Sequence, residues 1–153
     1  MPATPEFTAE ERNLLVRLPR WVVDAARAVG GRAHQETETG FLSVANGRTT
    51  GNPLVAQLAE EALRVYDQDP RKSGVDTSKA DGVELVLGYA QRAMLILRDK
   101  AEAADAAAYR RWLLNITDDA ITTITTFGGV QILPEQKAFR DRLADLTRAK
   151  PAA

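Results

Sequence analysis

A few clusters in this chain have the residue types and spacing that site chemistry requires. His34, Glu36 and Glu38 alternate along one stretch. In an extended loop, alternation puts all three on one side, where an imidazole and two carboxylates make a weak divalent-metal site. The same composition suits a solvated polar loop. Arg111, Asn115 and Asp118 follow at helical spacing, so that a cation, an amide and a carboxylate share a stripe able to position a small polar ligand, or to pair locally on an exposed face. Adjacent carboxylates occur at Glu60-Glu61 and Asp118-Asp119, with Asp67 and Asp69 close by. Neighbours on a helix point about 100° apart, so such pairs do not face one another. Gly47-Arg-Thr-Thr-Gly51 has the glycines of a phosphate-cradling loop but lacks the Gly-Lys-Ser/Thr ending and a preceding strand.

The inventory also excludes chemistry. The chain has one histidine and no cysteine. A di-iron bundle needs paired Glu-x-x-His motifs. Thiol catalysis and cysteine-ligated zinc have no residues to use. No catalytic residue can be named and no cofactor is implied. Arg17, Arg20 and Arg27 gather around Pro19, and Arg110-Arg111 form a second basic pair. Either group is able to hold an anion, although solvated arginines are commoner.

The elements positioning these residues are helical throughout. Thr8-x-x-Glu11 is a capping box, with hydroxyl and carboxylate each serving the other residue's amide. It opens a helix through Leu14, Leu15 and Leu18, and Pro19, which lacks a donor, is expected to kink or restart it. The second part runs through Trp21, Val22, Val23, Ala25, Ala26 and Val29 to Gly30-Gly31, a favoured helix stop. A short helix over 36–45 would turn Phe41, Leu42 and Val44 or Ala45 inward, ending at the Asn46-Gly47 turn. Asn52-Pro53 starts the next helix with a cap and a first-turn proline. Residues 67–77 form the main loop. Ser78-x-x-Asp81 opens a helix with an apolar stripe from Val83 to Ala101. Either one long helix runs from Ser78 to Thr126 or, the reading that typical helix lengths favour, a break near Ala103 with Asp105 capping separates it from a helix over about Ala106 to Thr126. A final helix begins at Pro134. The expected fold is therefore all-α: a compact single-domain bundle of about five or six helices over residues 1–153, with 1–7 and 150–153 flexible.

The stretch Tyr109 to Pro134 stands out. Trp112, Leu113, Ile116, Ala120, Ile121, Ile124 and Phe127 recur at helical spacing, and no charge falls between Asp119 and Glu135. Such a run must be buried, either in the core or against a partner. If by a partner, the contact residues are Trp112, Ile121, Ile124, Phe127, Gly128, Gly129, Val130 and Ile132.

Composition narrows the partners. Twenty basic residues balance 21 acidic ones, which argues against a nucleic-acid binder. Met1 to Phe7 lacks the features of a signal peptide, and no apolar run reaches the ~20 residues of a membrane span. A cytoplasmic protein is expected.

Ala106-Ala-Ala-Tyr-Arg-Arg-Trp-Leu-Leu-Asn-Ile, Phe127-Gly-Gly-Val and Pro134-Glu-Gln-Lys-Ala-Phe, with the Glu6-Phe7-Thr8-Ala9-Glu10-Glu11 opening, resemble a family of small uncharacterised bacterial helical proteins. The resemblance covers about a third of the chain and implies a helical fold without an activity. Gly30-Gly31 before Glu36, and Gly128-Gly129 before Glu135, are similar to the helix-ending turns of the tellurite-resistance TerB-like fold. That likeness implies divalent-metal binding, but the aspartate such turns carry is missing here.

The expected role is non-enzymatic interaction or assembly, as a homo-oligomer or with a protein partner, through the apolar helix face. The alternative is a TerB-like divalent-metal or small-ligand binder at the glycine turns.

Overall fold

The computed structural model describes residues 6–29, 42–68, 80–121, 123–124, 130–131 and 134–148. Helix α1 (Ala9–Val29) opens at the predicted capping box. The Thr8 amide donates to the Glu11 carboxylate at 2.8 Å, and the Glu11 amide donates to the Thr8 hydroxyl at 3.1 Å. A turn of helix over residues 42–45 passes into a 3-10 helix at Asn46–Thr49. Then come α2 (Pro53–Gln68), α3 (Ala80–Lys100), α4 (Ala103–Ile121) and α5 (Pro134–Thr147). The bundle is all-α, as the periodicity predicts, with one small exception between α4 and α5. There Thr123–Ile124 (β1) pairs antiparallel with Val130–Gln131 (β2).

Helix α1 is the hub, packed against α2, α3, α4 and α5. Its second half is apolar nearly all round: Leu18, Pro19, Trp21, Val22, Val23, Ala25 and Ala26 are all buried. A helix surrounded in this way belongs inside a bundle. Instead of restarting at Pro19, α1 continues through it as one α-helix. Proline cannot donate to the Leu15 carbonyl four residues back. The Tyr109 hydroxyl of α4 takes that place, donating to Leu15 O at 2.8 Å in the interior. Burial holds the Tyr109 phenol well above its ordinary pKa, so it stays a neutral donor.

Other expectations are met or moved. Asn52 caps α2 through its side-chain oxygen, which accepts from the Val55 amide at 3.0 Å, and its side-chain nitrogen donates to Asp105 at 3.0 Å. The break before α4 falls at residues 101–102. Asp105 does not sit at the cap there; it is the residue three positions on that reaches back to the Glu102 amide at 3.2 Å. Helix α4 begins earlier than expected and stops at Ile121 rather than Thr126. The following Thr-Thr-Ile-Thr-Thr run is β-branched at every position, which lowers helix propensity and suits strand pairing. Leu42, expected to face inward, is 57% exposed, whereas Val44 is fully buried. Gly30-Gly31, the 69–77 part of the loop, Ser78 and both chain ends lie outside the described residues.

The Asn46–Thr49 turn owes its position to Trp112. The indole N–H donates to the Val44 carbonyl at 3.3 Å, and Trp112 is 1% exposed. A Cβ placed on Gly47 would lie 2.6 Å from Trp112 Cε2 and 2.9 Å from the Ala59 methyl. The glycine admits the ring. Tyr109 packs edge-on to Trp112, centroids 5.6 Å apart, a favourable aromatic geometry.

Ion pairs tie the hub's outer end. Arg12 binds Glu61 of α2 through both carboxylate oxygens, while Glu60 meets Arg48 at 3.6 Å, so the adjacent glutamates serve different neighbours. Glu11 accepts from Lys100 of α3. That bond, then the Thr8 amide, lowers the Glu11 pKa. A depressed carboxylate contributes stability above its unfolded pKa and loses it as pH falls through the folded value. Thermal stability should therefore fall on acidification through the carboxylate range, and Glu11→Gln should flatten that dependence. Equal slopes for the two proteins would show that Glu11 does not report the pair.

Candidate functional site

The expected site residues that the structure describes serve different parts of the fold. Trp112 and Ile121 are interior, 1% and 3% exposed, so they build the core instead of an outward apolar face. Ile124 and Val130 lie in the short ladder, where only backbone is described, and Phe127, Gly128, Gly129 and Ile132 lie outside the described residues. So do His34, Glu36 and Glu38. Among the described residues no group of three or more histidines or carboxylates is placed to hold a metal. Of the polar stripe, Asp118 accepts from Arg140 of α5 at 2.9 Å, and Asn115 is exposed. Asp119 accepts from the buried Ser43 hydroxyl at 2.9 Å. Of these, Arg111 lines a concavity.

That concavity lies where α3, α4 and the end of α5 meet, with a volume of about 520 Å³, within the range of small-molecule sites. Helix α4 supplies Ala103, Ala106, Ala107, Arg110, Arg111 and Leu114, one continuous helical face at spacings of three and four. Helix α3 supplies Met94 and Arg98, one turn apart, and Arg148 follows α5. The alanines create the room because their side chains stop at Cβ. Met94 and Ala106 are buried and make an apolar floor; Arg98, Arg111 and Arg148 are exposed around it. Among the described residues no carboxylate lines the cleft.

Two of the arginines also hold the fold. Arg98 donates to the Thr147 carbonyl at 2.6 Å, and Arg110 donates to the Thr147 hydroxyl at 3.2 Å and the Ala144 carbonyl at 3.0 Å. They thereby cap the carbonyl end of α5, where a helix favours positive charge. The guanidinium fork has more N–H donors than these bonds use. Arg148 pairs with Asp145 at 3.4 Å on the open surface. Arg98, Arg110 and Arg111 make no ion pair among the described residues. The crowding is felt at Arg110. Burial, then the charges of Arg148, Arg140 and Arg98, lower its pKa, with Asp145 opposing. An arginine remains charged under such pressure, so the cleft keeps excess positive potential that an anion would relieve.

Sequence reasoning found the Arg110-Arg111 pair but not Arg98 or Arg148. Those two arrive through tertiary packing, from α3 and from beyond α5. The available signal was Ala103-x-x-Ala106-Ala107-x-x-Arg110-Arg111-x-x-Leu114, a helical face alternating small and cationic residues. A second, shallower groove of about 430 Å³ runs between α1 and α2, but Arg12 and Glu61 in its wall neutralise each other.

Among the described residues no helix is long and apolar enough to cross a membrane. No family model, curated protein or solved structure matches the chain.

Proposed function

We propose that the protein is a non-enzymatic binding module and that its ligand is an organic anion held in the arginine-rimmed cleft between α3, α4 and the end of α5. One observation carries the reading: four arginines converge on a concave, apolar-floored space with no carboxylate among its described lining residues. Guanidinium forks match carboxylate and phosphate oxygens bidentately. The glycine turns, where a small-ligand role was anticipated, lie outside the described residues, and the cleft is a separate candidate.

Arg111 provides the test, since it lines the cleft without an ion pair among the described residues. Titration with inorganic phosphate and with hexanoate, followed by amide NMR shifts, should perturb residues around Arg98, Arg110 and Arg111. Arg111→Ala should weaken binding about tenfold, the value of one charge-assisted hydrogen bond. Folding stability should move by less than about 0.5 kcal/mol, as at other exposed positions. Binding should also weaken with added salt. Failure of both anions to perturb the cleft would remove the reading.

The assembly reading keeps one observation of its own. Leu85 and Leu95, 47% and 58% exposed on the outer side of α3, flank Gly88, which has open space around it. Self-association in sedimentation, lost in Leu95→Glu, would favour it.

A further inference from the structure

The cleft has more apolar surface than an inorganic anion can use. Resting on the reading of this cleft as an anion site, we infer that its ligand is amphipathic: a small organic acid whose carboxylate or phosphate head meets the arginine rim while an alkyl or aryl portion lies over Met94, Ala106, Ala107 and Leu114.

Distribution of the residues supports this division. Arg98, Arg111 and Arg148 are solvent-exposed at the edges, whereas Met94 and Ala106 are 1% and 5% exposed beneath them. Ala103, Ala106 and Ala107 fall on the same helical face, and each leaves unfilled the volume that a larger apolar residue would occupy. A cleft serving only a hydrated anion gains nothing from an open apolar floor. Hydrocarbon laid there covers the apolar surface that Ala103, Ala107 and Leu114 leave open above the buried Met94 and Ala106. The head takes N–H donors that Arg98 and Arg110 do not spend on the end of α5, together with those of Arg111. The concave shape favours a free molecule over a membrane surface, which would have to present its headgroups to a recess.

The test is a chain-length series. Butanoate, hexanoate, octanoate and decanoate, each below its micelle concentration, are titrated against the full chain by calorimetry, with inorganic phosphate as the head-only probe. Affinity should rise by about three- to fourfold per methylene until the cleft is full, then level off. Ala107→Leu, at an exposed position, should abolish the dependence on chain length; Ala103→Leu is the second variant should the first misfold. Arg111→Ala should weaken every member of the series by a similar factor. A flat series with phosphate still bound would overturn the amphipathic ligand and leave the anion site standing. No binding by any probe would overturn both. Binding to vesicles containing anionic lipid, with no binding of the free acids, would overturn the free-molecule assignment.

Discussion

Gly47→Ala is expected to lower folding stability by about 1–3 kcal/mol, the usual cost of forcing a methyl into a packed interior. The added Cβ would meet Trp112 Cε2 at 2.6 Å, Nε1 at 2.7 Å and the Ala59 methyl at 2.9 Å. None of these neighbours is the free end of a flexible chain. The indole is locked by its bond to the Val44 carbonyl and by the edge of Tyr109, and Ala59 belongs to the buried face of α2. The strain must therefore move the 42–49 segment away from α4 or tilt the ring. For a chain of 153 residues this corresponds to a melting shift of about 2–4 °C per kcal/mol. The cause is separable by a double-mutant cycle with Trp112→Leu. That substitution alone is costly, because it deletes much of a fully buried aromatic. In its background, however, the space beside Gly47 opens and Gly47→Ala should cost less, by about 1 kcal/mol. Additivity of the two substitutions would show that the penalty comes from the turn's backbone and not from the ring.

This contact marks where the sequence stopped being legible. Trp112 was readable as a buried anchor from its place in the 3.6-residue period. Its burial by a glycine-containing turn 65 positions earlier was not, since nothing local to Gly47 names a partner. The start of α1 and of α2 could be read because capping is local chemistry: Thr8 with Glu11, and Asn52 with Val55, meet within three residues. The end of α4 was missed for a physical reason. Apolar residues continue at helical spacing to Phe127, but β-branching at 122–126 favours an extended chain, and the period cannot register that preference. The arginine cleft was half legible, with Arg110-Arg111 as the visible half. Arg98 and Arg148 join them only once α3 and α5 have packed on α4, a consequence of topology with no local signature. Arg148 follows the last turn of α5, where a cation complements the helix dipole. In the fold Arg98 and Arg110 bind the carbonyls there, and α5 is held by two helices distant in sequence.

The same dependence on a distant partner gives the second large effect. Tyr109→Phe, which removes one oxygen from a fully buried side chain, should cost about 1–3 kcal/mol. Phenylalanine preserves the ring, its packing against Trp112 and the apolar area, so the loss isolates the hydroxyl. That hydroxyl donates to Leu15 O, the carbonyl which Pro19 deprives of its helical donor. Without it, the carbonyl is unpaired within the hub helix, out of reach of bulk water. Pro19→Ala restores an N–H four residues after Leu15 and supplies the missing donor. In the Pro19→Ala background, Tyr109→Phe should therefore cost less, with a coupling of about 1 kcal/mol measurable by urea unfolding. The sign carries the argument. If the tyrosine bond were an ordinary addition to an already satisfied helix, the two substitutions would add, and α1 would have to tolerate Pro19 by some other means. If they couple as expected, the proline in the central helix and the tyrosine of α4 act as a single unit. A donor missing from α1 is then supplied by the helix that also carries most of the proposed binding face.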